Sequence, residues 1–496
     1  MRRRLNTGFV RLLQGTVLGL VAGHASAQAL PFLMPGDSAL RSNVEALSEA
    51  GETPLTTTWP LPSLDIKAER RDEMRGYNQP GSALDAGWYL SGASHPTKLR
   101  TFADTPRETA EAGVQSGWTA GDYAGGAIRF GYALHPSDEM HYRLDGTYAA
   151  WRFGNWWTSI GQVDRWWGPG WDGSLLLSSN ARSIPGLALD RASSTPFSSK
   201  WLSWIGPWRL SLFLDHMESR RADFGNTLLY GDRFTFSPVH GLEIGLARTA
   251  EFCGTTRPCG VSTFFDMLTA RSNRKYNPII DNTGAIDLTL QKKSAQRSAI
   301  DLKWRPGSLP AAVYWQQYGE VFDSGNLRPR QLTELFGIES TQLATGLGRL
   351  RLFLEYANTA CGAIGFNGQD KPTYGCAYEK DTWHAGYRYR GRAIGDSMDR
   401  DGIRWTVGGV LIDEKGHTFN LRLRHFDLNR DGIAQAGLLP HTVTTVEEKL
   451  YNTEFSVDGF HGTLRYSLGL GADYGGPVAD PARWSGRGFL SLSQNW

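Results

Sequence analysis

Every second side chain is apolar through several long stretches of this chain, and beyond its first thirty or so residues no run reaches eighteen consecutive apolar residues. The alternation demands strands, and the short runs exclude a membrane-crossing helix. Trp208, Leu210, Leu212 and Leu214 alternate with Arg209, Ser211, Phe213 and Asp215. Leu350, Leu352, Leu354 and Tyr356 alternate with Arg351, Phe353, Glu355 and Ala357, and Leu464, Tyr466, Leu468 and Leu470 with Arg465, Ser467, Gly469 and Gly471. One face is apolar; the other carries charges and glycines. A soluble sandwich alternates too, but its polar face meets water and seldom holds so many glycines. Lipid outside and a polar lumen inside account for the pattern better. The expected fold class is therefore all-β: a large antiparallel transmembrane β-barrel.

Composition agrees. The 58 Gly, 18 Trp, 18 Tyr and 22 Phe supply turns and aromatics. A mean hydropathy of −0.37 argues against a helical membrane protein. Lys and Arg (52) nearly balance Asp and Glu (50), so nothing points to nucleic acid as a partner.

The chain opens with Arg2, Arg3 and Arg4, a short apolar stretch over 12–23, and Ala25-Ser26-Ala27. That order predicts a secretory signal peptide over 1–27, cut after Ala27. Residues 28–79 form an expected N-terminal periplasmic helical region, placed to cover the barrel mouth. Its best helix runs from Asp37 to Glu49, capped by Asp37 or Ser38, with Leu40, Val44 and Leu47 on one face and Gly51 as the stop. The barrel is expected over 80–496. Its final strand, GFLSLSQNW, places Leu490, Leu492 and Trp496 on one face, and a terminal aromatic belongs at the membrane interface.

Connections alternate in length. Tight turns at 237–241, 305–310 and 344–349 separate long segments at about 251–282, 321–332 and 360–378. Short turns on one side and long loops on the other is the habit of outer-membrane barrels. Counting strands back from the C-terminus, through a turn at 414–417, disagrees with the forward count by one crossing between 378 and 402. A missed strand or an inward-folded loop would explain the mismatch. The four cysteines fall as two close pairs. In an exported chain, Cys253–Cys259 and Cys361–Cys376 are the expected loop-stapling disulfides, on the outer surface.

The segment 161–191, GQVDRWWGPGWDGSLLLSSNARSIPGLALDR, concentrates chemistry. Trp166, Trp167 and Trp171 lie beside Asp164, Arg165, Asn180 and Arg182. Indole faces stack on sugar rings while amide and charged groups bind hydroxyls, so these seven residues are the candidate carbohydrate site. The same composition also suits a structural knot of aromatics around a buried ion pair. Arg209, Arg351 and Arg465 read as ion-paired residues of a filled lumen. The run Asp427-x-Asn429-x-Asp431-Gly432 starts like a calcium loop but has Leu438 where a bidentate Glu is required, and Asp399-x-Asp401-Gly402 resembles it; Asx turns fit both. No metal site, cofactor motif, G-x-S-x-G, H-E-x-x-H or P-loop is present, and no carboxylate spacing singles out a glycosidase pair.

The run DRWWGPGWDGSLLLSSNARSIPGL resembles the hallmark segment of the Wzi family of outer-membrane capsule-assembly proteins. LRSNVEALSEAG with TTTWPLP is similar to that family's N-terminal region, RPCGVSTFFDMLTARSN to its middle segment, and GYRYRGRAIGDSMDRDG to a second hallmark. The resemblance covers nearly all of the mature chain. It implies roughly 18 strands, a periplasmic helical cap and a lumen plugged by loops. It also implies a non-catalytic surface lectin that anchors capsular or extracellular polysaccharide, with no enzymatic activity and no cofactor. Ser183 stands where the family pattern often has Pro, the cysteine pairs look like an addition, and the outer loops match least. Outer-membrane lipid and the barrel-assembly machinery are the other expected partners. A channel for polysaccharide or small solutes is the alternative function.

Overall fold

The computed structural model describes residues 30–53, 55–71, 84–269, 294–321, 329–362, 373–379, 383–432 and 441–496. The expected signal peptide, its cleavage point and the 79/80 domain boundary lie outside these residues.

Eighteen antiparallel strands close into a barrel. They are β1 (Leu84–Ala93), β2 (Ala110–Ala120), β3 (Ala124–Leu134), β4 (Tyr148–Phe153), β5 (Trp156–Gln162), β6 (Pro185–Arg191), β7 (Trp208–His216), β8 (Leu228–Val239) and β9 (Leu242–Phe252). The circuit continues through β10 (Ser294–Trp304), β11 (Ala311–Val321), β12 (Pro329–Ser340), β13 (Gly348–Asn358), β14 (Ile403–Ile412), β15 (Thr418–Leu428), β16 (Glu448–His461), β17 (Leu464–Pro477) and β18 (Arg483–Asn495). Two short pieces, Tyr142–Arg143 and Leu343–Thr345, extend the pairing of β3 and β13. Closure joins last strand to first, with Leu492 opposite Leu90 and Asn495 opposite Gly87.

The expected alternation is present with its sense inverted relative to a soluble protein. On β13, Arg351, Phe353, Glu355 and Ala357 are buried in the lumen, while Leu352 and Leu354 are exposed outward. Leu246, Ile300, Val407, Leu423 and Leu470 continue the exposed apolar belt. Burying charge while exposing leucine is stable only where lipid replaces water outside and every interior charge finds a partner.

Short connections share one end of the barrel: 121–123, 154–155, 240–241, 305–310, 341–347, 413–417 and 462–463, with 192–207 the long exception. The other end carries the long loops, with the five-residue connection 478–482 its short exception. The mismatch in the strand count falls here: between β13 and β14 the described residues 373–379 and 383–402 fold into the lumen, carrying a hairpin of Arg388–Tyr389 against Arg392–Ala393. Both expected disulfides, Cys253–Cys259 and Cys361–Cys376, form at the long-loop end.

Helix α1 (Ser38–Glu49) starts where Asp37 accepts a 2.9 Å hydrogen bond from the Leu40 amide. Its apolar stripe, Leu40, Val44 and Leu47, packs with Leu33, Trp59, Phe102 and Trp166. Its polar face meets the barrel wall: Glu45 pairs with Lys303 at 2.6 Å, Glu49 with Arg351 at 2.8 Å, and Asp37 with Arg465 at 2.5 Å. The helix therefore sits inside the short-turn mouth, beyond merely covering it. Among the described residues two further α-helices are short, α2 (Ala68–Arg71) and α3 (Val261–Leu268). The lumen arginines behave as expected, with Arg209 bound to Asp65.

Candidate functional site

The segment 163–184 enters the lumen from the long-loop end and is held there by its own backbone. Trp166–Trp167 pairs with Thr58–Trp59 of the N-terminal region. Two glycines make the tight path possible. Gly168 has φ +148°, where only glycine is unstrained, and a Cβ on Gly173 would collide with Arg404 and Asp396. Asp172 then lies among three guanidiniums, Arg424 at 2.9 Å, Arg404 at 3.3 Å and Arg422 at 3.6 Å, and accepts a 2.8 Å bond from the Thr406 hydroxyl. Glu355 accepts from the Trp171 amide at 2.8 Å, Tyr314 at 3.1 Å and Arg404 at 3.1 Å.

The indoles are part of this packing. Trp166 meets Phe102 edge-on at 5.4 Å, Trp167 meets Phe213 at 5.3 Å, and Trp171 stacks on Phe353 at 5.5 Å. The Arg41 guanidinium covers Trp171 at 4.3 Å, and the Trp171 Nε1 donates to Glu339. All three are fully buried, so no indole face is open to a sugar ring. Arg165 is committed to Asp215 at 2.8 Å and lies over Phe213. The Asn180 side chain donates to the Ala393 carbonyl at 2.8 Å. The knot of aromatics around ion pairs is what the structure contains at these five positions.

Asp164 and Arg182 are placed differently. Both line a lumen cavity of about 200 Å³, with Arg107, Arg129, Asp104 and Asp145 among its walls. Burial pushes the Asp164 carboxyl up to about 6, assisted by Asp145 and opposed by Arg107. Arg182 is clamped by Glu108, Asp138 and Asp145, with 2.8 Å to Asp138. It also reaches a small cleft shared with Arg107, Arg390 and Arg392.

Above that cleft, four separate loops form a basin of about 580 Å³. Asp138 and Glu139 come from the β3–β4 connection, Glu218 and Arg220 from β7–β8, Arg388 and Arg390 from β13–β14, and His441 from β15–β16. Its frame is fixed by charge. Arg388 bonds Asp399 at 2.9 Å and Glu379 at 2.5 Å, and Arg221 bonds Asp223 at 3.0 Å. Although its burial works the other way, Asp399 is held well below the usual carboxylate range by Arg388 and His441. Burial lowers His441. Among the described residues, Arg220 and Arg390 are in no ion pair. The basin was not among the expected site residues, although Arg388 and Arg390 belong to the second hallmark segment. The calcium-like runs serve the frame: Asp399 accepts from Thr442 at 2.7 Å, Asp401 from the Gly375 amide at 2.9 Å, and Arg430 lies 3.5 Å from Asp427.

An apolar exterior, a lumen filled by the chain's own loops and helix, and a charged basin at the long-loop end define a loop-plugged outer-membrane barrel. A profile of the family described as capsule assembly protein Wzi matches residues 103–488. The chain belongs to the Wzi family of capsule assembly proteins. It is 29% identical over 342 residues to a Klebsiella pneumoniae relative, "uncharacterized 55.8 kDa protein in cps region", a match covering 65% of this chain and 64% of the relative. The chain thus spans less than two thirds of that relative's length. It superposes on Escherichia coli Wzi, an outer-membrane protein involved in group 1 capsule assembly and a carbohydrate-binding β-barrel, with a TM-score of 0.75 and 22% identity, covering 93% of this chain and 98% of the other.

Proposed function

We propose that this chain is a non-catalytic anchor that binds capsular or extracellular polysaccharide at the cell surface, after a signal peptide is removed at Ala27 and the C-terminal strand ending in Trp496 is read by the barrel-assembly machinery. The observation that carries this is the basin: four loops, cross-braced by buried ion pairs, form a rigid concave surface at the end opposite α1. Rigid sites lose little entropy on binding. Arg220, Arg390 and Glu139 supply donors and an acceptor for hydroxyl and charged groups, Arg182 lies beneath them bonded to Asp138, and Asp164 lines the lumen cavity further in. The five other residues of the hallmark segment act from within the plug. The carbohydrate binding of Escherichia coli Wzi and the capsule-region setting of the Klebsiella relative favour the same ligand class. A filled lumen favours an anchor over a channel.

The test replaces Arg220 and Arg390 together with Ala. Polysaccharide from the producing cell is then bound to proteoliposomes, and the barrel is checked by its heat-modifiable mobility in detergent gels. Retention should fall while the folded band persists. Unchanged retention by a folded double variant sinks the basin assignment.

A further inference from the structure

Helix α3 lies on the outside of the barrel. On β8 and β9 the even-numbered side chains point away from the lumen, as exposed Leu246 shows, with Leu229, Arg233, Ala247 and Thr249 buried inward. Yet Ala250 and Phe252, both outward, are only 0% and 2% exposed. They are covered by α3: Met267, Phe264 and Leu268 pack with Ala250, Phe252, Leu214, Leu228 and Tyr230. The Phe264 ring meets Tyr230 edge-on at 6.0 Å. Two bonds from the wall fix the last turn: Arg248 donates to the Leu268 carbonyl at 3.0 Å and Gln296 to the Met267 carbonyl at 2.9 Å. The Cys253–Cys259 disulfide ties the segment just before the helix to the top of β9.

The apolar arc of α3 is wider than its footprint on the barrel. At about 100° per residue, Met267, Phe264, Leu268, Val261 and Phe265 form one continuous apolar arc, and Ser262 and Asp266 fall on the other side. Only part of that arc touches the wall. Val261 stays 75% exposed and Phe265 58% exposed. The helix also sits at a defined height. Phe252 is ten residues above the short-turn end of its strand (252 − 242), as are Tyr451 (461 − 451) and Tyr474 (474 − 464) on β16 and β17. Those outward tyrosines, with Trp484 beside Tyr474 at 4.9 Å, mark the aromatic girdle where lipid hydrocarbon gives way to headgroups.

We propose that α3 is an interfacial anchor whose Val261 and Phe265 insert among the lipids of the outer leaflet, extending the barrel's apolar belt and holding the segment 253–269 against the membrane, away from the basin. The occupant is lipid because the exposed arc is continuous with side chains that already face lipid and lies at girdle height. A polar stripe opposite an apolar one is the pattern of helices that lie in the membrane plane.

The test places a nitroxide label at Phe265→Cys, and independently at Val261→Cys, in the full chain reconstituted in vesicles of phosphatidylethanolamine and phosphatidylglycerol. Accessibility to oxygen and to a nickel chelate is read by power saturation. Leu246→Cys on the belt and Ser137→Cys in an outer loop set the two limits, and heat-modifiable mobility confirms each barrel. Oxygen access exceeding nickel access, as at Leu246, is expected. Nickel access exceeding oxygen, as at Ser137, overturns the proposal. Low access to both marks a second copy or another protein on the helix and overturns it equally. Because two positions are read, failure of one variant to fold leaves the other to decide.

Discussion

Trp171 carries three contacts at once: a stacked ring, a covering guanidinium and an indole N–H bonded to a buried carboxylate. Trp171→Ala should cost about 3–5 kcal/mol, the range for emptying a buried aromatic site. In unfolding followed by heat-modifiable mobility, its midpoint should drop while the glycan bound per folded barrel stays unchanged; a selective loss of binding would return the indole to the ligand site. Asp172→Ala removes the anion shared by Arg404, Arg422 and Arg424 and should cost about 3–5 kcal/mol, because it leaves buried cations uncompensated. Asp164 makes a pH prediction. Its raised value means the folded chain binds the proton more tightly than the unfolded chain, whose carboxyl titrates near ~3.9. Its contribution to stability is thus greatest in acid and declines as pH rises from about 4 through about 6. Asp164→Asn should gain in melting temperature relative to wild type between pH 5 and pH 8; a constant difference across that interval defeats the assignment. These residues also show the limit of composition. Trp beside Asp and Arg looks alike whether the indole is presented or packed, because the distinction rests on partners such as Phe353 and Glu339, more than 160 residues away.

The parts legible in sequence are those whose pattern is local. Leu210, Leu212 and Leu214 announce an outward face through their spacing alone, and Asp37, Leu40, Val44 and Leu47 announce a capped amphipathic helix. The inward part of the β13–β14 connection, 383–402, has no such period. Its backbone is satisfied by particular long-range partners, as when the Ile394 carbonyl accepts from the Ser178 amide at 3.0 Å, so nothing in the run itself says it is buried. Helix α3 was hidden within a segment that reads only as a long loop. At the element scale, α1 can be tested as a removable stopper. Val44→Asp would bury an unpaired charge in the Leu40–Trp59–Trp166 cluster, so the helix should leave the mouth. The eighteen strands do not depend on that cluster for pairing, and the barrel should persist. Planar-bilayer recordings should show little conductance for the wild type and an increase for Val44→Asp. A large, steady wild-type conductance would favour the channel alternative.

At the scale of the molecule, one barrel offers one outer basin, whereas a polysaccharide is a long repeat that many barrels can hold together. Linking binding events along one polymer makes each later event intramolecular, so avidity can exceed single-site affinity by roughly 10²–10⁴ without any new contact. A weak basin is therefore compatible with firm retention, and the two can be separated. Barrels isolated singly in nanodiscs should bind long polymer and short oligosaccharide with similar affinity per site. The same barrels packed densely in vesicles should hold long polymer about 10²–10⁴ times more tightly than the short fragment. Both are read by retention of labelled glycan at graded chain lengths. If a single isolated barrel already holds long polymer as tightly as the dense array, the binding surface is an extended groove on one molecule, and the basin is only a portion of it.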